Sequence, residues 1–125
     1  MKRSILGFVL ILGIPFLSWA QNLNVTFRVD MNQQSSVSAN GVHVAGDFQA
    51  AAGFPGDWNP ATTALSDADQ DGIYEVTVQI PAGSYQYKFI NGNAWGQDEL
   101  APAACAVGGT NRGLTVSGDT VLPAV

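Results

Sequence analysis

The amino-acid sequence predicts an all-β sandwich that follows a short N-terminal leader. Apolar and polar residues alternate with a period of two in several short segments, which is the pattern of half-buried strands. Clusters of Gly, Pro, Asn and Asp separate these segments, and no helical period is visible after residue 20. About seven short strands divided by turns are typical of a β-sandwich.

Residues 1–20 have the three parts of a secretory signal peptide. Met1–Arg3 is a positive start, Ile5–Leu17 is apolar, and Ser18–Ala20 places small residues where a signal peptidase cleaves. The apolar run is shorter than the roughly 20 residues that a membrane-spanning helix requires. We therefore expect an exported protein, secreted or at the cell surface, whose mature domain over residues 21–125 has no membrane span.

The strand pattern occurs in six segments of the mature chain. In order these are residues 25–31, 41–48, 74–80, 85–90, 113–116 and 120–122. The third and fourth segments are separated by Pro81-Ala82-Gly83, a turn sequence, and are predicted to pair as a hairpin.

Loops and turns fill the remaining stretches. Residues 33–40 are polar, and residues 50–63 are rich in Ala, Gly and Pro, so both are predicted to be surface loops. Residues 67–72 predict an acidic turn, residues 91–95 predict a second turn, and residues 100–110 predict a further loop.

The mature part is strongly acidic. The chain has five Lys and Arg residues and ten Asp and Glu residues, and Lys2 and Arg3 leave with the leader, so the net charge becomes −7. Such a surface repels phosphate backbones and anionic membranes, which argues against nucleic acid as a partner. Neutral ligands and divalent cations remain compatible with it.

Two further features suggest a longer protein. Cys105 is the single cysteine, and a lone thiol is unusual in an oxidising compartment. The sequence also stops directly after the apolar run 121–125. We expect residues 21–125 to be one domain of a longer polypeptide, with its other domains as partners.

Trp58 and Trp95 lie in predicted loops, outside the alternation of any strand. An aromatic face packs well on the C–H groups of a pyranose ring, so loop tryptophans are candidate sugar-binding residues. Loop aromatics also close the ends of sandwiches, and from the residues alone both interpretations stay open.

The acidic turn is a candidate calcium site. Asp67, Asp69 and Asp71 occupy alternate positions before Gly72, and carboxylates in such a loop can surround Ca²⁺. An EF-hand would require Glu at loop position 12, where Val78 stands, so this is not an EF-hand. The alternative is a plain acidic β-turn. No other cofactor is expected.

The sequence offers no catalytic set, and we predict that the chain is not an enzyme. His43 is the single histidine and lies in a predicted strand, and no Ser or Cys has a recognisable nucleophile motif. Asp98 and Glu99 are adjacent carboxylates and are interpreted as solvent-exposed charge.

The order of five segments resembles that of glycogen- and starch-binding modules. The segments are residues 42–48, 58–60, 71–76, 80–89 and 91–95. Such modules include the carbohydrate-binding domain of the AMP-activated protein kinase β-subunit and the early-set, immunoglobulin-like domains beside α-glucan-acting enzymes. The resemblance covers about residues 40–116, is most specific from Pro81 to Trp95, and implies an immunoglobulin-like β-sandwich.

The resemblance also implies a site. Trp58 and Trp95 would stack on an α-glucan, while Lys88 and Asn111 would hydrogen-bond its hydroxyl groups. One departure is the insertion over residues 49–57, because family members place the first tryptophan almost directly after the Gly-x-Phe element. This insertion leaves two alternatives open: Trp58 keeps the stacking position, or Trp58 moves away from the site and Phe54 takes its place.

We therefore expect a non-catalytic, secreted module that binds α-glucan-type polysaccharide by aromatic stacking. One alternative is a structural or adhesive immunoglobulin-like spacer of a surface protein, stabilised by calcium. Another is an accessory domain of an amylase-type enzyme.

Overall fold

Eight β-strands make up two sheets in the computed structural model, which describes residues 21–125. They are β1 (Asn22–Asp30), β2 (Val42–Gly46), β3 (Ala64–Leu65), β4 (Ile73–Pro81), β5 (Gly83–Asn91), β6 (Ala106–Val107), β7 (Asn111–Val116) and β8 (Thr120–Val121). The predicted leader and its cleavage site fall outside the described residues. Within that range, no helix is long and apolar enough to cross a membrane.

The strands are arranged as a three-stranded sheet, in the order β4-β1-β8, and a five-stranded sheet, in the order β3-β2-β5-β7-β6. β1 runs antiparallel to β4 along its whole length and parallel to β8. All pairings in the five-stranded sheet are antiparallel. The predicted fold class, an immunoglobulin-like β-sandwich, is confirmed.

An aromatic cluster joins the two sheets. Phe27 of β1 is completely buried, with its ring centre 4.7 Å from that of Phe48 and 4.9 Å from that of Tyr87. Tyr87 meets Phe89 edge to face at 5.6 Å. Since Tyr87 and Phe89 of β5 point into the core, the residue between them, Lys88, points to the outer face of the five-stranded sheet.

The predicted hairpin is wrong. β4 pairs with β1 in one sheet, whereas β5 pairs with β2 and β7 in the other, so the chain crosses between the sheets at Ala82. The Tyr85 hydroxyl donates to the Pro81 carbonyl oxygen at 2.7 Å and stabilises this crossing. Both strands have an apolar face, and these faces meet across the core instead of lying side by side.

The alternation located six strands, with bounds that shift by up to three residues. β3 and β6 were not predicted, because two residues are too few to show a period. Both are edge strands of the five-stranded sheet. The predicted turns over residues 67–72 and 91–95 are confirmed.

Candidate functional site

The outer face of the five-stranded sheet brings two of the predicted sugar contacts together. Tyr87 of β5 stands opposite Arg112 of β7, and the strands are antiparallel. Lys88 and Asn111 are each one residue further along, so they are neighbours on the outer face. On the other side of β5, Ala45 of β2 pairs with Lys88. These three residues form one row across the sheet.

Lys88 is held in place by a carboxylate. Its side chain is largely buried, and its Nζ lies 3.0 Å from Oδ2 of Asp98. Asp98 forms a backbone bridge with Ile90, which places it next to Lys88 on the outer face. The N–H of Gly96, followed by the Lys88 ammonium, holds the pKa of Asp98 below its ordinary value.

The interpretation of Asp98 and Glu99 as solvent-exposed charge is wrong. Glu99 accepts two hydrogen bonds from the Arg112 guanidinium, at 2.6 Å from Nε and 2.9 Å from Nη2. Arg112 is 9% exposed, and its bond to Glu99 raises its pKa above the ordinary value. The two carboxylates point to opposite faces because they follow each other in an extended segment, so each finds a different cation.

Trp58 lies beside the C-terminal end of β2, beyond the part of the strand that pairs with β3. Its backbone N–H donates to the Gly46 carbonyl at 3.1 Å, and the loop then runs along β2 so that Val44 N–H donates to Thr63. Trp58 has a φ of 56°, a left-handed conformation that bulky residues seldom adopt. The surrounding loop must therefore stabilise this conformation.

The amide of Gln49 provides that stabilisation. It is completely buried, and its Oε1 accepts from Asn59 N–H at 2.9 Å and from Gly46 N–H at 3.2 Å. Its Nε2 donates to the Asn59 carbonyl at 2.9 Å and to Thr63 Oγ1 at 3.0 Å. Gln49 thus connects the start of the loop to the residue that follows Trp58. Sequence reasoning missed it, because a single Gln in an Ala- and Gly-rich loop shows no local pattern.

The insertion before Trp58 does not put Phe54 in its place. Phe54 N–H donates to the Gln49 carbonyl at 2.9 Å, and the Phe54 ring packs against the hydrophobic core. The alternative in which Phe54 takes the place of Trp58 is therefore wrong, because the partly buried Phe54 ring packs against the core.

Trp95 lies in the turn that leads from β5 to Asp98, and 47% of its surface is exposed. Hydrogen bonds order this turn: Gln97 Oε1 accepts from Asn93 N–H at 3.1 Å, and His43 Nδ1 lies 2.6 Å from the Gly92 carbonyl. Trp95 is therefore a half-exposed aromatic side chain on a turn whose backbone is ordered by hydrogen bonds.

The described residues also form cavities. One cavity, of about 500 Å³, lies at one end of the sandwich and is lined in part by Met31, Glu99 and Arg112. Its lining includes none of the four predicted sugar contacts. A groove of about 440 Å³ lies on the outer face over β5 and β7.

The three aspartates of the acidic turn come together. One carboxylate oxygen from each of Asp67, Asp69 and Asp71 lies within 4.8 Å of the other two. Asp67 accepts from the backbone N–H groups of Asp71, at 3.1 Å, and Gly72, at 2.9 Å. These local bonds also fit the plain acidic turn.

The pKa values of two carboxylates in this turn shift in opposite directions. A hydrogen bond with Asp71 raises the pKa of Asp69, whereas the Ile73 N–H lowers the pKa of Asp71. Oxygen ligands at this spacing suit a hard cation.

Sequence comparison shows which known proteins this chain is similar to. Residues 41–122 match the family model described as the pullulanase X25 domain. The chain is 32% identical over 114 residues to an amylopullulanase of Thermoanaerobacterium thermosulfurigenes, covering 82% of this chain and 6% of that protein. It is 33% identical over 106 residues to an amylopullulanase of Thermoanaerobacterium saccharolyticum, covering 76% and 8%.

A third relative is an α-amylase of Niallia circulans, 36% identical over 119 residues, covering 94% of this chain and 8% of that protein. The chain spans less than a tenth of the length of these relatives. These matches confirm the resemblance to a small domain that accompanies amylopullulanases and α-amylases.

Replacing Gln49 with Ala is expected to destabilise the fold by about 2–4 kcal/mol, because several buried groups lose their hydrogen bonds at once. Urea unfolding measures this free energy. Gln79→Ala serves as the control, since Gln79 is an exposed glutamine of β4 and its loss should cost under about 0.5 kcal/mol. Equal losses in the two variants would contradict the role given to Gln49.

The lowered pKa of Asp98 predicts a pH dependence of stability. Ionised Asp98 stabilises the fold above its ordinary pKa of 3.8, and this contribution is lost as the pH falls through the lower value of the folded state. The difference in unfolding free energy between wild type and Asp98→Asn should therefore shrink below pH 3.8. Urea titrations from neutral pH to about pH 3 test this; a constant difference counts against it.

Proposed function

We propose, because this chain belongs to the pullulanase X25 domain family, that it is a non-catalytic module that binds α-glucan polysaccharide. The observation that carries the proposal is the outer-face row of Lys88 and Asn111, with the Trp58 loop at the edge of β2 and the Trp95 turn after β5. The names of the relatives, amylopullulanase and α-amylase, supply the substrate class.

The chemistry of the row suits a neutral sugar. The indole faces would pack on the C–H surfaces of glucose rings, while the Lys88 ammonium would donate to hydroxyl oxygens. Asp98 restricts Lys88 to one orientation, so less rotamer entropy is lost on binding. A few exposed contacts of this kind correspond to an affinity of roughly micromolar to millimolar.

The module would serve an amylolytic enzyme in the same polypeptide. Its relatives are many times longer than the matched segment, so the catalytic part is proposed to lie in other domains. Tethering such an enzyme to polymeric substrate raises the local substrate concentration without any new catalytic group. The predicted signal peptide would place both outside the cell.

A second candidate function is a calcium-stabilised spacer domain. The clustering of Asp67, Asp69 and Asp71 favours it, because three carboxylate oxygens at close range repel each other unless a proton or a cation lies between them. Calcium binding at this turn is compatible with glucan binding at the outer face, so the two proposals are tested separately.

Affinity electrophoresis in gels that contain glycogen or amylopectin tests glucan binding. Wild-type protein should be retarded, and Trp58→Ala and Trp95→Ala should each weaken binding at least about tenfold, a loss of about 1.4 kcal/mol. The control is Val121→Ala, which removes an exposed apolar side chain of the other sheet. Wild-type protein that is not retarded would refute the proposal. Tryptophan variants that are retarded as strongly as wild-type protein would also refute it.

Thermal unfolding tests the calcium proposal. Saturating Ca²⁺ should raise the melting temperature by several degrees, whereas Mg²⁺ should not, because Mg²⁺ demands a stricter octahedral site. Asp69→Asn should abolish the shift while Asp119→Asn, in a different turn, keeps it. An unchanged wild-type melting curve in Ca²⁺ would rule out the metal site.

A further inference from the structure

A groove on the outer face begins at Gln86, the outward-facing residue of β5 next to Lys88 on that face. Its volume of about 440 Å³ lies within the usual range for ligand sites. The floor is formed by Ser84 and Gln86 of β5 and by Gly113 and Thr115 of β7. From Lys88 to Ser84 the strand extends about 13 Å, which leaves room for more than one additional sugar ring.

Gln86 and Asn111 form an amide pair at the entrance of the groove. Asn111 Nδ2 donates to Gln86 Oε1 at 3.1 Å, which orients both amides. Asn111 thereby presents Oδ1 as an acceptor, and Gln86 presents Nε2 as a donor. Neither atom has a hydrogen-bond partner among the described residues. Two adjacent hydroxyl groups of a pyranose match this pair, because one can donate to Asn111 while the other accepts from Gln86.

The groove wall depends on glycine. A Cβ at Gly113 would lie 2.9 Å from Cγ2 of Val107, so only glycine lets Val107 settle over the floor. A Cβ at Gly108 would collide with Gln86 Oε1, so the loop backbone also packs closely on the amide pair. Val107 is 43% exposed and offers an apolar wall for the C–H face of a sugar.

The floor itself is polar. Ser84 Oγ and Thr115 Oγ1 lie 3.3 Å apart on neighbouring strands, so the far end of the groove presents two hydroxyl groups. Near the entrance, the Asp47 carboxylate accepts from the Gln86 backbone N–H at 2.8 Å and lines the same groove. Hydroxyl and amide groups beside an apolar wall are the lining that a carbohydrate requires.

We propose that this groove binds the continuation of the α-glucan chain and that Gln86 recognises a pair of adjacent hydroxyl groups there. The inference rests on the proposed function, since the groove extends the same site. It adds an extended subsite, so affinity should increase with the length of the glucan until the groove is filled.

Calorimetric titration with maltotriose and maltoheptaose tests the proposal. Wild-type protein should bind maltoheptaose at least about tenfold more tightly than maltotriose, a gain of about 1.4 kcal/mol. Gln86→Leu and Thr115→Val should each remove most of this preference. Thr115→Val does not touch the amide pair, so its affinity for maltotriose should stay that of wild type. Gln79→Leu, on the outer side of the other sheet, is the matched control and should keep the preference.

The outcomes distinguish failure of the groove proposal from failure of the proposed glucan binding. Wild-type protein that binds both oligomers equally would overturn the groove while leaving glucan binding intact. Gln86→Leu and Thr115→Val variants that fold normally and keep the preference for maltoheptaose would do the same. Wild-type protein that binds neither oligomer would overturn the proposed function itself.

Discussion

Gln49 carries a side-chain amide that is wholly removed from solvent and yet fully hydrogen-bonded. Burying an unbonded amide would cost several kcal/mol, so the loop from β2 to β3 folds in the one way that surrounds this group with partners. The left-handed backbone of Trp58 is a consequence, because Asn59, the next residue, is held at both its N–H and its carbonyl. The candidate stacking surface at the edge of β2 therefore depends on a polar group beneath it.

Paired polar groups also hold the other side of the candidate site in place. Asp98 and Glu99 are consecutive in the chain, yet one binds the Lys88 ammonium on the outer face and the other binds the Arg112 guanidinium. A strand alternates its side chains, so two neighbouring carboxylates can serve two separate cations on opposite faces. The Arg112 contact is bidentate, so both carboxylate oxygens of Glu99 accept a charge-assisted hydrogen bond in a defined geometry. Together the two pairs hold the segment between Trp95 and the loop that forms the groove wall.

These supports fix polar groups on the outer face of the five-stranded sheet. The row of Lys88 and Asn111 joins the groove through the amide of Gln86. The core on the opposite side of the same strands is aromatic and tightly packed around Phe27. One sheet thus combines a rigid apolar face with a polar face that offers both donors and acceptors, which suits a ligand without charge in a strongly acidic protein.

The sequence by itself determined the all-β class, six of the strands, the turns at residues 67–72 and 91–95, and the placement of Trp58 and Trp95 outside the strands. These features follow from period-two alternation and from turn residues, which act locally. The alternation of side chains along β5 could also have shown that Gln86 lies on the same face as Lys88. Only the tertiary structure decided that β4 and β5 belong to different sheets, that Gln49 supports Trp58, and that Asp98 and Glu99 are paired. Alternation reveals which residues share a face, but the partner of a strand or of a buried polar group is distant in sequence and is selected by packing.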